Sequence, residues 1–117
     1  MGLFDREDFD RQLGELPGVT FDDQWDAHVA KVGGKVFCLL SDAAPPRIVF
    51  KVTEESFDIL TALDGAAQPA YFAKRKWVEI TERAKLTDAD LLAYVWRSHE
   101  AVAAGLTKKL RAELGLA

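Results

Sequence analysis

The chain has 117 residues, 49% hydrophobic and 29% charged, with 15 basic and 19 acidic side chains and a net charge of −4. That length suits one domain around a single core, and the composition is ordinary for a globular protein, which excludes disordered and collagenous classes. No apolar run approaches the roughly 18 residues of a membrane span, so no membrane partner is expected, and one cysteine excludes an internal disulfide.

Met-Gly-Leu-Phe-Asp-Arg at the start lacks the basic and apolar regions of a signal peptide, and Arg6 stands where a myristoylation motif requires Ser or Thr. A cytoplasmic location is the expectation. The net charge conceals an asymmetry. Residues 1–26 hold eight carboxylates against Arg6 and Arg11, a net of −6, whereas residues 27–52 hold Lys31, Lys35, Arg47 and Lys51 against Asp42, a net of +3. This is weaker than the basic footprint of a committed DNA-binding domain.

Residues 3–15 read as a helix, with Leu3, Phe4, Phe9, Leu13 and Leu16 forming an apolar stripe and acids in the first turns; Leu16-Pro17-Gly18 stops it. Val19 to Trp25 is a short strand. The run His28–Leu40 carries β-rich segments on both sides of Gly33-Gly34, and a two-residue turn there needs the positive φ that Gly tolerates, so two further strands form a hairpin. Regular pairing sets Ala30 opposite Phe37 and Val29 opposite Cys38. Asp42–Pro46 is a loop. In 47–52, Ile48, Phe50 and Val52 share one face, and Arg47, Val49 and Lys51 share the other.

Thr53 caps a helix whose buried side is supplied by Phe57, Leu60, Thr61 and the nearby Ile59 and Leu63, and which closes at Asp64-Gly65. Pro69–Ala73 is a short extended piece and Trp77–Thr81 a strand. Thr87 and Asp90 form a capping pattern for a long helix whose Leu91, Leu92, Val95, Trp96, His99, Val102 and Ala103 follow the helical spacing of about 3.6 and which ends at Gly105, and Thr107 caps a last one to about Leu114. The order reads helix, three strands, helix, one or two strands, two helices. The expected fold class is α+β: a two-layer sandwich of a mainly antiparallel sheet with helices packed on one face, in one domain spanning 1–117. Both faces of the hairpin are largely apolar. Either the sheet is covered on both sides, or one face is an apolar surface open to a partner.

Leu-Pro-Gly-Val-Thr (16–20), Lys-Val-Gly-Gly-Lys-Val-Phe (31–37), Pro-Arg-Ile-Val-Phe-Lys (46–51), Lys-Arg-Lys-Trp (74–77), Ser-His-Glu (98–100) and Leu-Thr-Lys-Lys-Leu-Arg (106–111) occur in this order. In their ordered sum the chain resembles the MmcQ/YjbR family of small bacterial proteins over nearly its whole length. The resemblance implies an α-β-β-β-α-β-β-α type fold, described as a "double wing" DNA-binding fold. Lys76 stands where family members often carry His, which makes the patch more basic.

Gly-x-Gly-x-x-Gly, Walker, Gly-x-Ser-x-Gly and His-Glu-x-x-His motifs are absent from the sequence, so the chain reads as non-catalytic and without a cofactor. His28, His99 and one cysteine lack the spaced pairs of a zinc site. His99 flanks the apolar stripe of the long helix as a hydrogen-bonding edge residue, and His28 reads as the end of an exposed strand. Cys38, mid-strand between Phe37 and Leu39, reads as a buried structural thiol. The acids of the first helix match no metal loop and read as a solvated face.

The candidate nucleic-acid-binding residues are Arg47, Lys51, Lys74, Arg75, Lys76, Trp77, Lys108 and Lys109. Basic groups beside Tyr71, Phe72 and Trp77 suit phosphates and stacked bases, and Lys108-Lys109 at a helix start attract anions. The plain alternatives are edge lysines that block aggregation and lysines paired with Glu100 or Glu113. Two readings lead: a module binding nucleic acid weakly and without sequence preference, or an adaptor binding another protein through the apolar sheet face; an enzyme whose site the sequence does not advertise comes third.

Overall fold

The computed structural model describes residues 2–24 and 26–116. Asp5, extended and accepting from the Asp8 amide, caps α1 (Arg6–Leu13). The helix thus begins later than the apolar stripe, with Leu3 buried ahead of the cap. Four strands follow, matching the segments read at 19–25, on both sides of Gly33-Gly34 and at 47–52 rather than the three of the expected order: β1 (Val19–Gln24), β2 (Ala27–Val32), β3 (Lys35–Ser41) and β4 (Ile48–Lys51). The expected end of β1 at Trp25 lies outside the described residues. Then come α2 (Glu54–Thr61), β5 (Ala66–Ala67), β6 (Trp77–Ile80), a 3-10 turn (Glu82–Ala84), α3 (Asp88–Ala104) and α4 (Lys108–Glu113). Thr53, Thr87 and Thr107 cap α2, α3 and α4 through their hydroxyls. The Pro69–Ala73 piece is not a strand; the chain turns there and Tyr71 takes φ 69°.

The strands form one antiparallel sheet in the order β1-β2-β3-β4-β6-β5. The hairpin forms at Gly33-Gly34, with φ of 59° and 80°, but its register departs from the regular one. Lys31 pairs with Val36, and Ala30 pairs with Cys38 rather than Phe37. Phe37 is the extra residue of a β-bulge. The bulge turns Phe37 and Cys38 both inward, and each is fully buried.

The inner face presents Ala30, Val32, Cys38, Leu40, Ile48, Phe50, Val78 and Ile80 to the helices, which contribute Phe9, Leu13, Leu60, Leu91, Val95 and Val102. Ile59, Leu63 and Trp96, expected on the buried sides of their helices, are exposed instead: Ile59 and Trp96 each stand one position beside the residue that packs inward, Leu60 and Val95, and Leu63 lies past the end of α2. α3 lies across β2, β3 and β4. The result is the expected two-layer α+β sandwich, with no helix on the other sheet face among the described residues.

Candidate functional site

Strand alternation sets the open face. Register partners in adjacent strands share a face, so Asp22, Val29, Leu39, Val49 and Glu79 form one row across five strands. Lys51 and Trp77 form the next partnered pair on the same side. Val29, Val36, Leu39 and Val49 line a groove of about 870 Å³, with Arg47 and Glu79 beside it and the loop Pro69–Phe72 along it. Phe72 packs on Trp77 with ring centroids 4.8 Å apart, while Tyr71 is fully exposed beside the groove.

The candidate residues divide into three groups. Lys51 and Trp77 are register partners at one end of the face; Lys74 and Lys76 precede Trp77 in the adjoining turn, where the Lys76 carbonyl accepts from the Val52 amide at 2.8 Å. Among the described residues, Lys51, Lys74 and Lys76 have no ion-pair partner. Arg47 shares the face but precedes β4, about 13 Å along the strand from Lys51 at roughly 3.3 Å per residue, and it faces Glu79 Oε1 at 3.6 Å.

Arg75 is drawn to the helix layer. Its guanidinium takes both Asp58 oxygens at 2.9 Å and Glu54 at 3.2 Å, with Phe57 beneath it at 5.5 Å. Hydrogen bonds to Asp58 and then Glu54 push its pKa well above the usual range, and the bidentate fork leaves little capacity for a phosphate. Lys108 and Lys109 occupy the first turn of α4, packed at the hairpin turn, where a Cβ on Gly33 would lie 2.6 Å from Leu106 and 3.2 Å from Leu110. They therefore belong to the helix layer rather than the open face.

The strand alternation that makes Lys51 and Trp77 neighbours also brings Glu79 onto the face. That carboxylate is legible from its position two residues after Trp77 and was missed as a counter-charge.

His28 differs from its expected exposure. It is 5% exposed and stacks on Phe21, with centroids 5.3 Å apart and planes 7° from parallel. Nδ1 meets Asp23 Oδ1 at 2.7 Å and Nε2 meets Asp10 Oδ1 at 2.5 Å. Through these two contacts the imidazole clamps α1 to β1 and β2. Arg6 adds bonds of 2.8 and 2.9 Å to Asp23. His99 holds the edge role expected of it, its Nε2 donating to the Pro17 carbonyl at 2.8 Å. Cys38 is fully buried and burial pushes its thiol pKa up. Among the described residues, no three His, Cys, Asp or Glu side chains gather to hold a metal ion, and no helix is long and apolar enough to cross a membrane.

These features define a small α+β sandwich with one helix-free, apolar-floored sheet face rimmed by lysines and aromatics. The YjbR family model matches residues 14–101, and the chain belongs to that family. It is similar to the Deinococcus radiodurans protein DR2400, which carries the domain DUF419. The two share 26% identity at a TM-score of 0.83, with 95% of this chain and 88% of that one covered. A Pseudomonas syringae protein is 18% identical at a TM-score of 0.67, with 80% of this chain and 95% of that one covered, a likeness of fold alone. No curated protein matches the chain.

Proposed function

We propose that this chain is a nucleic-acid-binding module that holds a single strand across its open sheet face, weakly and with little base preference. The observation that supports this most is the Lys51–Trp77 register pair on the open face, with Phe72 against Trp77 and Lys74 and Lys76 in the turn leading into Trp77. Aromatic faces stack bases of any identity, and adjacent ammonium groups meet the phosphates. An open antiparallel sheet serves as such a platform in other single-strand binders. Among the described residues the helices pack against the inner face of the sheet and none crosses the open face, which favours single strands over duplex.

Three lysines predict a modest salt slope. At about −0.7 per single-strand phosphate neutralised, log K falls with log salt with a slope of roughly −2. Anisotropy titration of a labelled oligothymidylate at several salt concentrations tests this. A Lys51/Lys74/Lys76→Ala variant should lose binding, whereas Lys108/Lys109→Ala should retain it. Equal binding by the first variant and the wild type would refute the proposal.

The apolar floor favours a second reading. Val29 and Val49 are nearly fully buried, yet Leu39 and Val36 remain partly exposed in the groove. An extended segment of a protein partner, laying alternate apolar side chains into the row, would suit it. Such binding would be insensitive to salt and would be lost in Leu39→Glu.

A further inference from the structure

The loop between β5 and β6 carries Tyr71 and Phe72 along the open groove and runs on into Trp77. Its backbone is strained at two places. Tyr71 and Arg75 hold φ of 69° and 64°, in the left-handed region that a side chain disfavours. Such residues persist only where their surroundings over-determine them. Tyr71 is fully exposed, so its own packing does not offset the strain. We infer that Arg75 is a positioning residue for the open face: latched to α2, it holds this loop in the conformation that sets Tyr71, Phe72 and Trp77 along the groove. The inference rests on the reading of that face as a nucleic-acid surface.

The bonds run in series from α2 to the aromatics. The Arg75 guanidinium takes both Asp58 oxygens and Glu54, over the Phe57 ring. The Arg75 amide donates to Gln68 Oε1 at 3.0 Å. Gln68 Nε2 in turn donates to the Pro69 carbonyl at 3.0 Å and to the Phe72 carbonyl at 3.2 Å, and Phe72 rests on Trp77. The two ends of one amide side chain thus tie the loop across its width. Among the described residues, the backbone bonds of 68–76 outside the strand ladders are those from the Lys76 amide to the Ala73 carbonyl and from the Val52 amide to the Lys76 carbonyl. Neither reaches Tyr71. The Arg75 and Asp58 side chains are 47% and 61% exposed, and an exposed ion pair adds little to global stability. A two-pronged fork on one carboxylate, with a second carboxylate and a ring beside it, nevertheless has a fixed geometry. Its effect is to select a loop conformation rather than to hold the fold.

The test reads loop order and binding separately. Backbone ¹⁵N relaxation of the full chain without nucleic acid reports order at Ala70, Tyr71 and Phe72. Order should fall there, and not in the sheet, in Arg75→Ala, in Arg75→Lys, which keeps the charge but not the fork, and in Gln68→Ala. Thermal midpoints should stay close to that of the wild type. Affinity for oligothymidylate, by anisotropy, should fall about fivefold or more in each variant, the lower end of what one stacked base is worth. Gln68→Ala changes no charge, so its loss is not electrostatic. Asp58→Ala separates positioning from contact. An Arg75 that met phosphates itself would bind more tightly once freed from Asp58. A latch, once released, binds more weakly than Glu55→Ala, which removes the same charge from α2 at a residue with no bond to Arg75 among the described residues. Tighter binding by Asp58→Ala, loop order unmoved by Arg75→Ala, a midpoint lowered in step with binding, or wild-type affinity in these variants would overturn the inference and leave the binding reading standing. No binding by the wild type at low salt would refute both.

Discussion

The Ser98 hydroxyl donates to the Phe37 carbonyl at 2.6 Å, across 61 positions of sequence. Phe37 is the extra residue of the β3 bulge, so its carbonyl lies at a break in the ladder. The same oxygen of Ser98 accepts from the Lys51 amide at 2.8 Å, at the end of β4. A hydroxyl both donates and accepts, and that dual capacity lets one small side chain serve two strands. The next residue, His99, meets the Phe37 ring edge-on with centroids 5.2 Å apart and binds the Pro17 carbonyl. Ser98 and His99 thereby fix α3 against the bulge, the end of β4 and the turn after α1.

Ser98→Ala should be among the more damaging single-atom deletions in this fold. It strands the Phe37 carbonyl and the Lys51 amide, and Ser98 is fully buried. An unsatisfied buried group costs about 1–3 kcal/mol, so two such groups predict a loss of at least about 2 kcal/mol by urea unfolding. A loss under about 1 kcal/mol would show that water or a shifted strand replaces the hydroxyl.

Cys38 should be inert in the folded protein. Burial suppresses the thiolate, and the thiolate is the reactive form. A disulfide reagent should label it only as fast as the chain unfolds, and fully in denaturant. Cys38→Ala should cost on the order of 1 kcal/mol. Rapid labelling under native conditions would contradict the burial.

Acid should weaken the clamp between α1 and the sheet. The hydrogen bond from His28, and then that from Arg6, hold the Asp23 carboxyl below its ordinary value. A carboxyl lowered by folding contributes stability above its unfolded value, near pH 3.9. That contribution is lost as pH falls through the lowered folded value. Asp8, Asp22, Asp58 and Asp64 are lowered too and share the limb. The melting temperature should drop as pH falls from about 5 to below 3, and Asp23→Asn should make the drop shallower. An identical drop in the variant would remove Asp23 from the account.

Where local chemistry decides, the sequence was readable. Gly33-Gly34 forms the turn, and the hydroxyls of Thr53, Thr87 and Thr107 form the caps expected of them. The bulge was not readable, because Phe37 is as apolar as its neighbours and an inserted residue leaves no mark in the composition. β5 is two residues long, too short for any alternation to register. The site suffered most from partners distant in sequence. Arg75 stands beside Lys74 and Lys76, yet Asp58, 17 positions away, takes it out of the patch. Asp10, 18 positions from His28, likewise converts an expected exposed strand end into a buried clamp. Lys51 and Trp77 were both legible as candidates, but their pairing required the β4–β6 register.

The central claim concerns that pair, and the most direct measurement is an amide and indole shift map of the ¹⁵N-labelled chain with an unlabelled oligothymidylate at low salt. The account predicts saturable shifts concentrated at Lys51, Tyr71, Phe72, Lys76 and the Trp77 indole, fading as salt rises. Shifts confined to α4 around Lys108 and Lys109, or none at low salt, would contradict it.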